Sequence, residues 1–154
     1  MQIFFDEWTN EDVRWQVIHS WASCDLVKHR SRHMIDECNL TSLVRRLTEI
    51  VGERYVVSTD EDLLVYEYDG SVDKSLPVVV VLPGSPEEVS EIVLVGNEFR
   101  MPIIARGAGT GLSGGSIAER GGIVIALTRM NKILEVNEKD RYAIVEPGVV
   151  NLDI

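Results

Sequence analysis

Val78-Val79-Val80-Val81-Leu82-Pro83-Gly84-Ser85-Pro86-Glu87-Glu88-Val89 is the stretch that decides the fold. Its first five residues are β-branched or aliphatic without interruption, the pattern of a strand buried on both faces. Pro83-Gly84 ends the strand. Ser85 then caps a helix with Pro86 at its first position, and Glu88 completes a capping box. Val89, Ile92, Val93 and Phe99 form the buried face of that helix, and Pro102 breaks it. Ile103-Ile104-Ala105 reads as a second buried strand. The unit is βαβ with short connections, which predicts a parallel pair joined by a right-handed crossover.

Working outward, strands are predicted at Ile123–Leu127, Ile133–Val136 and Tyr142–Glu146, the last two joined by a turn at Asn137–Asp140. On the other side, Thr41 caps a helix carried by Leu43, Val44, Leu47, Ile50 and Val51 and stopped by Gly52. Asp60 caps a short helix reaching about Tyr66. Earlier still, a helix capped by Thr9 or Asn10 aligns Val13, Val17, Ile18 and Trp21, and a second spans about Leu26 to Asp36. The fold class is therefore α/β (α+β): a βαβ unit plus mixed strands, preceded by helices.

Composition changes near residue 38. All three tryptophans, all three histidines and both cysteines precede it, whereas seven of the twelve glycines fall between Gly107 and Gly122. We therefore divide the chain into a helical N-terminal appendage, residues 1–38, and a domain over 39–154. A chain of 154 residues buries about 70% of its unfolded surface as one domain. The net charge of −10 repels nucleic acid, so any phosphate must be held by local donors. The longest apolar run, Val78–Leu82, is too short for a membrane span. Two cysteines and an acidic N-terminus lacking a secretory pattern point to the cytoplasm.

Arg106-Gly107-Ala108-Gly109-Thr110-Gly111-Leu112-Ser113-Gly114-Gly115-Ser116 carries the chemistry. Glycines at this density leave backbone N–H groups unshielded and admit positive φ, so several can converge on one anion. Positive φ is expected at Gly111. Thr110, Ser113 and Ser116 add hydroxyls, and Arg106 adds a fixed charge. The set suits a pyrophosphate. Gly109, Gly111 and Gly114 satisfy G-x-G-x-x-G, but no helix fits before Gly121-Gly122, so a dinucleotide fold fails on spacing. A phosphoryl-transfer loop fails because Gly115 stands where lysine is required. What remains is a phosphate-cradling loop between two strands.

Four ordered motifs together resemble the FAD-linked oxidase family. They are Pro83 to Val89, Arg106 to Gly115, Arg129-Met130-Asn131-Lys132-Ile133-Leu134-Glu135, and Val145-Glu146-Pro147-Gly148-Val149. The likeness runs from about residue 40 to the end and is nearest to glycolate oxidase FAD-binding subunits and D-lactate dehydrogenases. It implies the N-terminal part of a vanillyl-alcohol-oxidase-type FAD-binding domain, with the cofactor between two α/β subdomains. The Arg106–Gly115 loop would hold the FAD pyrophosphate, and the Pro83 and Pro147-Gly148 turns would line the cofactor. Relatives that attach flavin to this loop use histidine where Thr110 stands, so non-covalent FAD is expected.

By the same resemblance, the activity is oxidation of a 2-hydroxy acid of the glycolate or D-lactate type, by hydride transfer to the flavin. A small hydroxy-acid substrate is the expected partner, with room for an electron-acceptor subunit that would place the protein at a membrane periphery. The substrate domain of such enzymes lies beyond Ile154, so this chain is read as a fragment with no catalytic residue and little activity alone. The alternatives are a nucleotide-binding module without turnover, or a same-fold flavoenzyme of other chemistry, such as a cell-wall reductase or ether-lipid synthase.

Other constellations are outweighed. Cys24, His29, His33 and Cys38 suggest zinc, but at about 100° per residue the histidines project opposite the cysteines on one helix. Ser-His-Asp catalysis has no histidine after His33. Asp60-Glu61-Asp62 reads as a helix-start cluster. Glu67-Tyr68-Asp69-Gly70-Ser71 resembles the family's segment before its first strand and is otherwise a turn, with Tyr66 and Tyr68 as packing residues.

Overall fold

The computed structural model describes residues 35–154. The helix predicted from the Thr9 or Asn10 cap to about Trp21, nearly all of the second stretch, and three of the four zinc candidates lie outside the described residues. Cys38, the fourth, is exposed and unbridged.

Six strands and three helices form the described part. In chain order they are α1 (Glu37–Val51), β1 (Val56–Val57), α2 (Asp60–Leu63), β2 (Val79–Val81), α3 (Pro86–Glu98), β3 (Ile103–Arg106), β4 (Ile123–Ala126), β5 (Ile133–Asn137) and β6 (Tyr142–Val145). The first four strands make one sheet in the order β1-β2-β4-β3, with β1 antiparallel to β2 and the other pairs parallel. A separate antiparallel ribbon is formed by β5 and β6.

The sheet explains the valine run. Val79 and Val81 face a core shared with Leu43, Leu47 and Val51 of α1 and Ile92 and Val95 of α3. Val80 faces the other way, onto Leu63, Ala118, Val124 and Ala126. Both faces are covered, so no polar residue is tolerated at either parity. Glu98 of α3 pairs with Arg46 of α1 at 3.2 Å, tying the two helices on their outer side.

Several expectations are corrected. The parallel pair predicted between β2 and β3 does not exist, because β4 lies between them. The burial pattern gives the reason: β4 is fully apolar and wholly buried, whereas β3 contains exposed Ala105 and ends on Arg106, so β3 takes the edge. The first helix begins at Glu37 with Asp36 preceding it, not at Thr41, whose hydroxyl donates back to Glu37 O at 3.0 Å. Thr59 precedes α2 in place of Asp60, and its hydroxyl donates to the Asp62 carboxylate at 2.6 Å. At α3, Ser85 Oγ accepts the Glu88 N–H at 3.3 Å, but the Glu88 carboxylate reaches past Ser85 to the Gly84 N–H at 2.7 Å. Tyr66 packs on the second core face, while Tyr68 is 48% exposed beside Lys74.

Candidate cofactor site

Because β2, β3 and β4 run parallel, their carboxyl ends open on one edge of the sheet. Three connections leave from there: the Pro83-Gly84 turn after β2, the glycine loop after β3, and a 3-10 turn at Leu127–Arg129 after β4. The Pro147-Gly148 turn joins them, since the Gly148 N–H donates to Met130 O at 2.7 Å. A Cβ on Gly148 would lie 2.2 Å from Leu127 O, so only glycine permits this approach. The predicted site residues thus converge on the edge where open α/β sheets bind ligands.

Within the glycine loop the residues divide by exposure. Gly107, Ala108, Thr110, Gly111, Leu112, Ser113 and Gly115 are exposed, Gly109 and Gly114 half-buried, and Arg106 buried. No helix forms between β3 and β4, as the spacing required. Positive φ falls at Gly109 and Gly114, not at Gly111 as expected. Gly109 is also packed against the Arg106 guanidinium, where a Cβ would meet Nη2 at 2.2 Å. Ser116 is not a free donor: its hydroxyl is given to Asp69 Oδ2 at 3.3 Å. Pro83 is fully buried, so contact from its turn falls to the half-exposed Gly84.

Arg106 is the electrostatic centre. Only 7% of it is accessible, its guanidinium carbon lies 5.7 Å from the Tyr66 ring centroid, and Nη1 is buried without a hydrogen-bond partner among the described residues. A buried cationic donor left unpaired costs several kcal/mol, which an anion in the adjoining loop would recover. Exposed backbone, an orphaned N–H and a guanidinium packed against Gly109 fit the pyrophosphate of FAD.

Two residues that the sequence marks only within family-like segments, Arg129 and Asp69, make contacts at this edge that the sequence does not assign. Arg129 lies flat on Tyr55, 3.4 Å from the ring centroid, donates to Leu82 O, and stands 3.9 Å from the Glu88 carboxylate. It braces the Pro83-Gly84 turn from behind, where a Cβ on Gly84 would meet Nη2 at 2.7 Å. Asp69 is 7% accessible and accepts the Ser71 N–H at 2.7 Å. Hydrogen bonds from Ser71, its hydroxyl first and then its N–H, hold the Asp69 carboxyl below the usual aspartate value; desolvation opposes them and Ser116 adds to them. Both residues act across long sequence separations, so no local spacing could have assigned those contacts. No group of histidine, cysteine and carboxylate side chains that could hold a metal occurs among the described residues.

Comparison with known proteins agrees with this geometry. The FAD binding domain family matches residues 77–154, half of the chain. Glycolate oxidase subunit GlcD of Escherichia coli is 38% identical over 130 residues, covering 84% of this chain and 26% of that protein. The mitochondrial D-lactate dehydrogenase [cytochrome] of Arabidopsis thaliana is 32% identical over 114 residues, 73% of this chain and 20% of that protein. Among solved structures, 4-ethylphenol oxidase from Gulosibacter chungangensis superposes with a TM-score of 0.69 at 31% identity, covering 78% of this chain and 24% of that one. The chain therefore spans about a quarter of the length of the proteins it matches. A parallel sheet opening at its carboxyl edge onto a glycine loop with a buried, unpaired arginine is accounted for by this kinship: the chain belongs to the FAD-binding domain family of vanillyl-alcohol-oxidase-type flavoproteins, and its cofactor is FAD.

Proposed function

We propose that the loop Arg106–Gly115 holds the FAD pyrophosphate and that the whole protein oxidises a 2-hydroxy acid of the glycolate or D-lactate type. The observation that carries the first part is the buried Arg106 Nη1 without a partner, at the base of a loop whose backbone is exposed. The second part is supported by the likeness to a glycolate oxidase subunit and a D-lactate dehydrogenase. Bound FAD would supply the hydride acceptor; this chain's residues bind and orient it. Arg106 and the backbone N–H groups of Gly107 to Gly115 take the phosphates, with Gly84 and the Pro147-Gly148 turn beside them.

The test has two arms. FAD titrated into the 154-residue chain should be bound by the wild type and markedly less by Arg106→Ala; equal binding would end the pyrophosphate assignment. The whole protein should reduce a redox dye with glycolate or D-lactate. Flavin bound but never reduced by any hydroxy acid would favour a non-catalytic module. The likeness to 4-ethylphenol oxidase supports a second reading, the same fold with a phenolic substrate, which the same assay with 4-ethylphenol distinguishes.

Three further proposals complete the reading. FAD is held without a covalent bond here, since Thr110 offers no imidazole; acid precipitation of the holoprotein should leave flavin in the supernatant. The boundary expected at 38/39 cuts α1, which begins at Glu37, so we set the start of the domain at about residue 35 and treat the preceding segment as an appendage; a chain starting at Met34 should melt within a few degrees of the whole. That start retains Ile35, which packs on the core. The protein works in the cytoplasm, at a membrane periphery if an acceptor subunit joins it. No helix among the described residues is long and apolar enough to cross a membrane, and fractionation of cells would show where the protein resides.

A further inference from the structure

The glycine loop has no helix to fix its backbone, yet its shape must be set before an anion arrives. The segment Glu67–Ser75 is where that constraint originates. It is closed on itself: the Ser75 N–H donates to Glu67 O at 2.8 Å, and Lys74 Nζ reaches the Glu67 carboxylate at 3.1 Å. From this closed turn three hydrogen bonds cross to the loop. The Gly70 N–H donates to Gly111 O at 2.8 Å, Ser116 Oγ donates to Asp69 Oδ2 at 3.3 Å, and Ser75 Oγ donates to Ala118 O at 2.7 Å. They meet the loop near its tip, on its return and close to its end. The approach is tight, since a Cβ on Gly70 would stand 2.8 Å from Gly111 O and 2.9 Å from a Leu112 methyl.

Asp69 is the keystone of the turn. One carboxylate oxygen takes the Ser71 N–H and the other takes the Ser116 hydroxyl, so a single buried side chain shapes the turn and grips the loop. We infer that Asp69 is a positioning residue for FAD: the Glu67–Ser75 turn is a clasp that presets the glycine loop in its phosphate-binding shape. The inference rests on the assignment of the loop to the pyrophosphate. Both functions of Asp69 are geometric. An amide in its place keeps an oxygen for the Ser71 N–H and a nitrogen that donates to the Ser116 hydroxyl.

The experiment uses the 154-residue chain with Asp69→Ala, Asp69→Asn, Gly70→Ala and Ser116→Ala. Amide hydrogen exchange across residues 107–116 without FAD is measured beside FAD titration. Asp69→Ala should speed exchange in the loop by about tenfold and weaken FAD by a similar factor, while Asp69→Asn stays within about threefold of wild type on both. Gly70→Ala, which pushes on the Gly111 carbonyl, should behave like Asp69→Ala. Unchanged loop exchange in Asp69→Ala, or equal losses in Asn and Ala, would overturn the clasp. Should Asp69→Ala not fold, Gly70→Ala and Ser116→Ala decide through the same exchange measurement. Loop exchange without ligand separates this inference from the assignment beneath it. If Arg106→Ala binds FAD normally the pyrophosphate reading fails, whereas the clasp stands or falls on exchange.

Discussion

Arg106 and Arg129 stand at the same edge of one sheet, the first closing β3 and the second in the turn after β4, and each guanidinium lies over a tyrosine ring. Their surroundings are opposite. Arg129 has a carbonyl, a carboxylate nearby and a ring at stacking distance. Arg106 is more deeply buried, pairs with no carboxylate among the described residues, and keeps a nitrogen unsatisfied. One cation is satisfied by its neighbours; the other is the group to which we assign the pyrophosphate. The contrast teaches how to tell architecture from a binding group: composition cannot separate two arginines, but their hydrogen-bond accounts can.

The strongest way to break the contrast is to disturb the guanidinium that lacks a partner. Gly109→Val would set a branched side chain at a positive φ and force its Cβ into Arg106. We expect a loss of about 2–4 kcal/mol in FAD affinity from strain and from unmade charge-assisted hydrogen bonds. Circular dichroism should stay close to wild type, because the loop carries little core. Normal FAD binding by a folded Gly109→Val would mean that the loop's shape is irrelevant to the cofactor.

The two arginines can then be removed in turn. Arg106→Ala should cost FAD affinity about 1–3 kcal/mol while leaving the apoprotein no less stable than wild type, since removing an unpaired buried charge relieves its desolvation cost. Arg129→Ala should do the reverse, lowering stability by about 1–2 kcal/mol through the lost stacking and hydrogen bond. Chemical denaturation beside FAD titration reads both. If the larger folding loss came from Arg106, the roles assigned to the pair would be exchanged. The mildest change sharpens the picture. Gly111→Ala meets nothing within 4 Å and has no positive φ, so its effect on FAD should stay below about 0.5 kcal/mol. A loss matching that of Gly109→Val would show that the cofactor itself fills the open side of Gly111.

Features written in neighbouring residues were legible from the chain alone. The valine run gave β2, Ser85-Pro86 gave the start of α3, and the glycine spacing excluded a helix after β3. The glycine loop to which we assign the pyrophosphate was singled out by the same local logic. What stayed hidden depends on residues far apart. The insertion of β4 between β2 and β3 is a competition for the sheet centre, decided by the greater burial of Ile123–Ala126. Asp69 grips Ser116, and Arg129 reaches Leu82, each across a separation of 47 residues. The glycine identities misled for a related reason: φ in a closed loop is fixed by where its ends and ties lie, so Gly109 and Gly111 look alike until the loop is closed. Helix starts slipped because Asp36 and Thr41, or Thr59 and Asp60, are chemically equivalent candidates.

The central position of β4 also joins the parts of the sheet edge that carry the loops. β2 and β3 share no backbone hydrogen bonds, and each is joined to the other only through Ile123–Ala126. That strand pairs with both neighbours and, with Ile123 opposite Ile103 and Ala126 opposite Arg106, obliges the glycine loop to run from the carboxyl end of β3 back to the amino end of β4. Pairings that close loops of this length carry an entropy cost that local contacts do not, so the edge formed by β2, β4 and β3 is expected to be completed after the local helices. The proposed hold on FAD thus depends on a strand that contributes none of the proposed FAD contacts.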